Sequence, residues 1–233
     1  MTESDRLTEF QNKIGYTWKD DTLLAEAFTH SSYANEQKDR RDYERLEFLG
    51  DAVLEVTASE FLYRRFPDLK EGELTKRRAS MVCETALAWC ARDLEISSYL
   101  LLGKGEEAAG GRERETIIAD VMEAITGAIY LDGGFEEAKR FVTHYILENQ
   151  ENIRLFYDSK TILQEVVQGR KLGNLDYEIT DMKGPEHRRI FTSVVKIGGR
   201  LMGTGEGTSK KIAEQKAAYQ ALIALGYDET KKQ

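Results

Sequence analysis

The feature that most constrains the fold is a nine-residue run, Glu44–Ala52, in which three carboxylates stand among bulky apolar residues. On a helix, Glu44, Glu47 and Asp51 fall within roughly 60° of one another. The apolar residues of the run occupy most of the remaining circumference, which predicts a helix largely enclosed by protein. Neighbouring like charges in such a place require a counter-charge.

Two interpretations of these acids are open. Arg45 is the only basic residue within the run, so a divalent metal ion is the better candidate for the counter-charge. The alternative is a surface helix whose acids are simply hydrated, and an isolated Glu-x-x-Glu pattern usually deserves that interpretation. The apolar neighbours favour the metal.

A second segment repeats the same pattern. Asp120 and Glu123 are three residues apart within the apolar stretch Thr116–Ile125. Two such helices in one domain predict facing carboxylates that share metal ions. Ligation by oxygen alone suits Mg²⁺ or Mn²⁺ better than zinc. A di-iron bundle needs Glu-x-x-His, and none of the three histidines has a glutamate three residues before it.

Composition places the chain among globular proteins, with 41% hydrophobic and 32% charged residues. No run approaches the roughly 20 apolar residues of a membrane span, and the start has no signal-peptide pattern. Cys83 and Cys90 lie in an apolar helical stretch, where free thiols in a reducing compartment are expected. We therefore expect a cytoplasmic protein without a membrane partner.

The net charge of -8 argues against a nucleic-acid partner, but the charge is unevenly distributed. From Asp158 onward the chain has 13 Lys+Arg against 10 Asp+Glu, whereas residues 1–157 have 20 against 31. An acidic module joined to a mildly basic one indicates two different tasks.

Periodicity predicts an all-α first module, since no strand pattern occurs before Asn152. Asn35–Asp42 is interpreted as a charged loop, and Leu102–Arg114 as a mobile connection because its four glycines lack the order of a phosphate-binding loop. The predicted helices are Arg6–Ile14, Thr22–His30, Tyr43–Phe66, Glu71–Val82, Thr85–Leu94, Thr116–Tyr130 and Phe135–Asn149.

The pattern changes near Asp158. A helix is predicted first, then three strands separated by turn signals, and then a final helix. The order α-β-β-β-α indicates a small α+β domain with both helices on one sheet face. We therefore predict an all-α domain over 1–155 and an α+β domain over 158–227. The predicted elements are Asp158–Gln168, Tyr177–Met182, Arg189–Ile197, Arg200–Gly205 and Ser209–Leu225.

These segments resemble a known family. ERLEFLGDA at 44–52 resembles the signature of bacterial ribonuclease III, and Asp120-x-x-Glu123-Ala124 resembles its second acidic motif. The C-terminal unit is similar to a double-stranded-RNA-binding domain through 184–187 and 209–218. The resemblance covers almost the whole chain in the family's domain order. It implies an all-α N-terminal endonuclease domain followed by a small α+β RNA-binding domain.

The resemblance also implies site residues and partners. Glu44 and Glu71 match further acidic positions of the family's cleavage valley and dimer surface. The resemblance implies a homodimer with Mg²⁺ or Mn²⁺ as the cofactor. The two active sites of this dimer would cut opposite strands of duplex RNA, such as ribosomal RNA precursors, and leave short 3′ overhangs. The matching metal ligands are Glu47, Asp51, Asp120 and Glu123, of which Asp51 and Glu123 are the catalytic pair.

In the C-terminal unit, Lys210 and Lys211 begin a helix, where side-chain charge and free backbone N–H groups both attract phosphate. Many such domains have a third lysine where this chain has Glu214, which predicts a weaker contact with the RNA backbone. The alternatives are that His187 is an ordinary loop histidine, and that Lys210 and Lys211 form an ordinary solvated helix start. The positions that match the family's RNA contacts are Gln164, Glu165, His187, Lys210 and Lys211.

Three function classes compete. The first is a divalent-metal endoribonuclease for duplex RNA. The second is a protein that protects or remodels duplex RNA without cutting, which the intact set of four acids disfavours. The third is an unrelated metal-binding helical bundle with no preference for RNA. For a dimer, Phe48 and Leu49 are candidate contacts, although core packing is the simpler expectation for each.

Overall fold

The computed structural model describes residues 2–37, 39–148, 159–184, 189–207 and 209–227 of the 233-residue chain. The chain divides into two compact units, Met1–Gln150 and Glu151–Gln233. Across the described residues, no helix is both long and apolar enough to cross a membrane.

The regular secondary structure in the described part of the first unit is helical, apart from an isolated bridge between Thr29 and Leu101. A 3-10 turn lies at Gly111–Glu113, and a π-helix at Thr143–Leu147 continues the last α-helix. The α-helices are α1 (Glu3–Ile14), α2 (Asp21–Ala27), α3 (Ser31–Glu36), α4 (Glu44–Arg65), α5 (Glu71–Met81), α6 (Glu84–Asp93), α7 (Ile96–Tyr99), α8 (Lys104–Ala108), α9 (Glu115–Gly133) and α10 (Phe135–Val142).

Helices α4 and α9 touch backbone to backbone because each has a glycine at the contact. A Cβ atom on Gly50 would lie 1.8 Å from the backbone oxygen of Glu123, and one on Gly127 would lie 2.2 Å from that of Leu46. No side chain larger than hydrogen fits at either position without moving the helices apart. This contact determines the distance between the acidic segments of α4 and α9.

The expectation that α4 is enclosed by protein is wrong on one side. Phe48, Val56 and Tyr63 are 80%, 50% and 75% exposed, and they lie within roughly 80° of one another around the helix. The prediction that Phe48 packs in the core is therefore wrong. Leu49, for which the same prediction was made, is half-buried. Apolar periodicity does not distinguish buried apolar residues from exposed ones, so it could not separate these positions from the core.

Two predicted loops are partly helical. The segment Leu102–Arg114 forms α8 and the 3-10 turn, and α3 extends into the predicted loop Asn35–Asp42. Arg112 holds the first segment in place, because its guanidinium donates to the carbonyl oxygens of Ser97 and Leu100 and pairs with Glu107. These charges are paired within the fold and are not simply hydrated.

The predicted α-β-β-β-α order of the second unit is confirmed. The strands form an antiparallel sheet in the order β1-β2-β3. Side chains from both helices and from the sheet share one core, which includes Leu163, Val195 and Leu222. The elements are α11 (Ser159–Gly169), β1 (Leu175–Lys183), β2 (Ile190–Ile197), β3 (Arg200–Gly207) and α12 (Lys210–Ala224).

Helix α12 lies directly on β3, again because of glycine. A Cβ atom on Gly203 would lie 2.2 Å from the backbone oxygen of Ala217, and one on Gly205 would lie 2.4 Å from that of Ala213. The small side chains of both elements let the helix and the strand pack closely. The helix is thereby fixed on the sheet, with its first turn at the end of β3.

We predict that Gly127→Ala lowers the free energy of unfolding by about 1–3 kcal/mol, because the added methyl group must force α4 and α9 apart. Thermal or urea unfolding measures the loss. Gly72→Ala is the matched control, since a Cβ atom at this exposed position of α5 meets nothing within 4 Å. An equal effect of the two substitutions would contradict the importance of the helix contact.

Candidate active site and RNA interface

Four carboxylates meet where α4 and α9 touch. Glu47 and Asp51 lie one turn apart on α4, and Asp120 and Glu123 lie one turn apart on α9. Glu47 interacts electrostatically with Asp51 and Asp120, and Glu123 interacts with all three of the other acids. The structure therefore brings together the four acids that the sequence singles out.

The surroundings of these acids disfavour their ionised forms. Burial, followed by the negative charges of Asp120, Glu44 and Asp51, raises the pKa of Glu47 to about 7. Burial and the neighbouring acids, Asp51 first, raise the pKa of Glu123 to about 8. Asp51 is exposed, so the cluster opens to solvent at that end. Such shifts concentrate at functional sites.

The donor chemistry of the cluster fits a hard divalent cation. All four side chains are carboxylates, which are the ligands that Mg²⁺ and Mn²⁺ prefer. A cation would also relieve the repulsion that raises the pKa of Glu47 and Glu123. Among the described residues, however, no group of three His, Cys, Asp or Glu side chains is already arranged to hold a metal. Binding would therefore require the carboxylates to turn toward a common point.

Tyr43 is a member of the site that sequence reasoning missed. Its side chain is buried, and its hydroxyl donates to Oδ2 of Asp120 at 3.4 Å. Burial and the charge of Asp120 raise the pKa of Tyr43, so the hydroxyl keeps its proton and remains a donor. The ring edge of His30 packs against it. A buried tyrosine needs a hydrogen-bond partner for its hydroxyl. The position of Tyr43 directly before Glu44 was the sequence feature that could have predicted its part in the site.

The two edge acids differ in position. Glu44 is exposed in the first turn of α4, and its charge helps to raise the pKa of Glu47. Glu71 is exposed in the first turn of α5 and accepts a hydrogen bond from the Thr75 hydroxyl. It is not among the groups that perturb Glu47. Within this chain, the structure associates Glu44 with the cluster and Glu71 with a separate helix.

The predicted RNA contacts lie on the two helices of the second unit. Gln164 and Glu165 are exposed on α11, and Lys210 and Lys211 are exposed in the first turn of α12. Ser209 caps α12, because its hydroxyl oxygen accepts the N–H of Ile212. The lysines therefore sit at the positive end of a helix dipole. His187 lies outside the described residues.

Comparison with known families matches both units. A Ribonuclease-III-like family model matches residues 20–150, and a Double-stranded RNA binding motif matches residues 159–225. The matches follow the order of the helical and α+β units.

Whole-length relatives carry the name Ribonuclease 3. One, from Caldanaerobacter subterraneus subsp. tengcongensis, is 49% identical over 224 residues, which are 94% of this chain and 98% of the relative. Another, from Bacillus cereus, is 50% identical over 220 residues, which are 93% of this chain and 90% of the relative. The solved nuclease domain of ribonuclease III from Campylobacter jejuni is 41% identical, covers 60% of this chain and 95% of that domain, and has a TM-score of 0.57.

We predict that the metal-free protein becomes less stable as pH rises from about 5 to about 8. The raised pKa values of Glu47 and Glu123 mean that the folded state binds more protons than the unfolded chain in this window. Glu123→Gln removes one of these groups, so it should flatten the decline and raise stability at pH 8 by roughly 1–2 kcal/mol.

Thermal melting in the presence of a chelator at several pH values measures this effect. Glu115→Gln is the control, because Glu115 is exposed in the first turn of the same helix. The control should keep the pH slope of the unmodified protein. A slope that Glu123→Gln leaves unchanged would show that the acid cluster is not under electrostatic strain.

Proposed function

Because the chain belongs to the ribonuclease III family and is therefore an endoribonuclease of double-stranded RNA, we propose that the carboxylates of α4 and α9 form its cleavage site. The observation that carries this proposal is the meeting of four acids across a glycine contact, two of them with strongly raised pKa values. The proposed residues are Glu47, Asp51, Asp120 and Glu123.

The family depends on divalent metal, and we propose Mg²⁺ as the ion, with Mn²⁺ able to replace it. When bound, the ion supplies an activated water and neutralises charge on the phosphate and on the departing 3′ oxygen. Asp51 and Glu123 are the proposed catalytic pair. Glu123 is the more buried of the two, and it interacts with acids of both helices, which suits it to orient the others. The hydroxyl of Tyr43 holds Asp120.

Substrate selection belongs to the second unit in this proposal. Duplex RNA hides its base edges in a deep and narrow groove, so recognition relies on shape, 2′-hydroxyls and phosphates. Exposed polar side chains on α11 and cationic ones at the start of α12 supply such contacts. Processing of ribosomal RNA precursors is typical of the family, and we propose the same role for this chain in the cytoplasm. The proposed contacts are Gln164, Glu165, His187, Lys210 and Lys211.

The exposed side of α4 supports a homodimer. Phe48, Val56 and Tyr63 form an apolar stripe, here called the α4 stripe, on a helix whose other side is buried. The Campylobacter jejuni nuclease domain has a region involved in dimer formation. We propose that two copies of this chain pair through their α4 stripes, so that two sites cut opposite strands and leave short 3′ overhangs. Glu44 and Glu71 are proposed contributors to the cleavage valley and the dimer surface.

We predict that Glu123→Gln lowers the cleavage rate of a labelled RNA duplex in Mg²⁺ by at least about a hundredfold, because the site loses a charged ligand. RNA affinity should stay within about twofold, since the second unit supplies most of the binding energy. Single-turnover cleavage and a filter-binding titration measure the two quantities.

Glu115→Gln serves again as the control and should cleave normally. Loss of binding in step with cleavage would contradict a purely catalytic role for Glu123. An unmodified protein that binds the duplex at saturation and leaves it intact in Mg²⁺ would favour the non-cutting alternative.

We predict that Phe48→Glu shifts the protein toward monomer, because it places a charge in the α4 stripe. The dimer dissociation constant should rise at least about tenfold. The melting temperature of the monomer should change little, since the side chain is 80% exposed. Sedimentation analysis over a concentration series measures the equilibrium. Leu131→Glu, at a position that is 54% exposed on α9, is the matched control, and an equal shift by this variant would contradict the proposed interface.

A further inference from the structure

Glu214 takes part in an ion pair between the two helices of the second unit. Its Oε2 lies 2.5 Å from Nζ of Lys160, which joins α12 to α11. The two side chains are only 24% and 37% exposed, so water screens the pair less than it would at an open surface. The same ammonium lies 4.8 Å from the centre of the Tyr177 ring on β1. Lys160 on α11 thus contacts both α12 and β1 at this point.

The pair is buried on the side that faces Tyr177. The Tyr177 hydroxyl is buried and has no hydrogen-bond partner among the described residues. Its ring packs against the core of the unit. An ion pair beside this buried ring is electrostatically stronger than one between two fully hydrated side chains, and it is therefore held more rigidly.

The pair stands one helical turn from Gln164 on α11 and from Lys210 on α12, which are two of the proposed RNA contacts. Lys160 precedes Gln164 by four residues, and Glu214 follows Lys210 by four residues. Residues four apart lie on the same face of a helix. Gln164 and Lys210 therefore lie on the helix faces that the ion pair connects.

We propose that the Lys160–Glu214 pair positions α11 and α12 at the separation at which both bind one RNA duplex together. Simultaneous contact by two helices is tighter when their spacing is fixed before binding, because less freedom is lost on association. Glu214 then acts through Lys160 and does not itself touch RNA. The inference rests on the proposed RNA contacts of the two helices.

The test is Glu214→Lys in the full chain. Two ammonium groups would then face each other, so we expect the dissociation constant for a duplex in chelator to rise about fivefold. In Mg²⁺, KM should rise by a similar factor while kcat stays within about twofold. If residue 214 instead contacts phosphate directly, the new lysine should tighten binding. The slope of the logarithm of the affinity against the logarithm of the salt concentration should then become steeper by about one.

A charge swap separates positioning from a general effect of charge. Lys160→Glu combined with Glu214→Lys should restore the dissociation constant to within about twofold of the unmodified protein. Asp176→Lys makes the same charge change on the exposed side of β1 and should not weaken binding. Tighter binding by Glu214→Lys, no change, or failure of the swap to restore affinity would each overturn the proposal.

Melting curves verify that each variant is folded. Should Glu214→Lys unfold the second unit, Glu214→Gln provides the milder case, with an expected loss of affinity of about twofold. Unchanged affinity in that folded variant would also overturn the proposal.

A separate arm tests the contacts on which the proposal rests. Lys210→Ala with Lys211→Ala should weaken binding and flatten its salt dependence. An unchanged dissociation constant in this variant would contradict the proposed RNA contacts themselves. Weaker binding here, together with tighter binding by Glu214→Lys, would contradict the positioning role alone.

Discussion

The backbone contact between α4 and α9 is the constraint on which the rest of the first unit depends. Gly50 and Gly127 each face a carbonyl oxygen of the opposite helix, at a distance that leaves no room for a Cβ atom. With the helices this close, the side chains of Glu47 and Asp51 on α4 lie near those of Asp120 and Glu123 on α9. Those side chains are acidic, so the packing that gives the unit its core also places like charges together.

The clustering of the four acids lowers the free energy of unfolding, and in return it forms the candidate active site. Burial and the neighbouring acids raise the pKa of Glu47 to about 7 and that of Glu123 to about 8, so the fold disfavours a fully ionised cluster. Tyr43 offsets part of that cost, since its hydroxyl donates to Asp120. Local arrangements that oppose folding are expected where function requires them, because the remaining core stabilises the fold enough to tolerate them.

In the second unit, close packing brings opposite charges together, whereas in the first unit it brings like charges together. Glycines of β3 again let a helix approach, in this case α12 on the sheet, but the charges that meet across its helices have opposite sign. Lys160 and Glu214 connect the two helices on the faces that carry Gln164 and Lys210, two of the proposed RNA contacts. One unit thus brings negative charges together, where we propose that a cation binds, and the other pairs opposite charges between the two helices that carry the proposed RNA contacts.

The sequence by itself determined the helices of the first unit except the short α3, α7 and α8, the α-β-β-β-α order of the second and the four acids, because periodicity and motif spacing are local properties. Only the tertiary structure decided which partners distant residues have. Periodicity predicted Phe48 as a core residue, but its side chain is exposed, because a sequence pattern does not show which apolar residues the folded chain covers. Hydrogen bonds between Tyr43 and Asp120, 77 residues apart, and between Lys160 and Glu214, 54 residues apart, depend on packing that no local window contains.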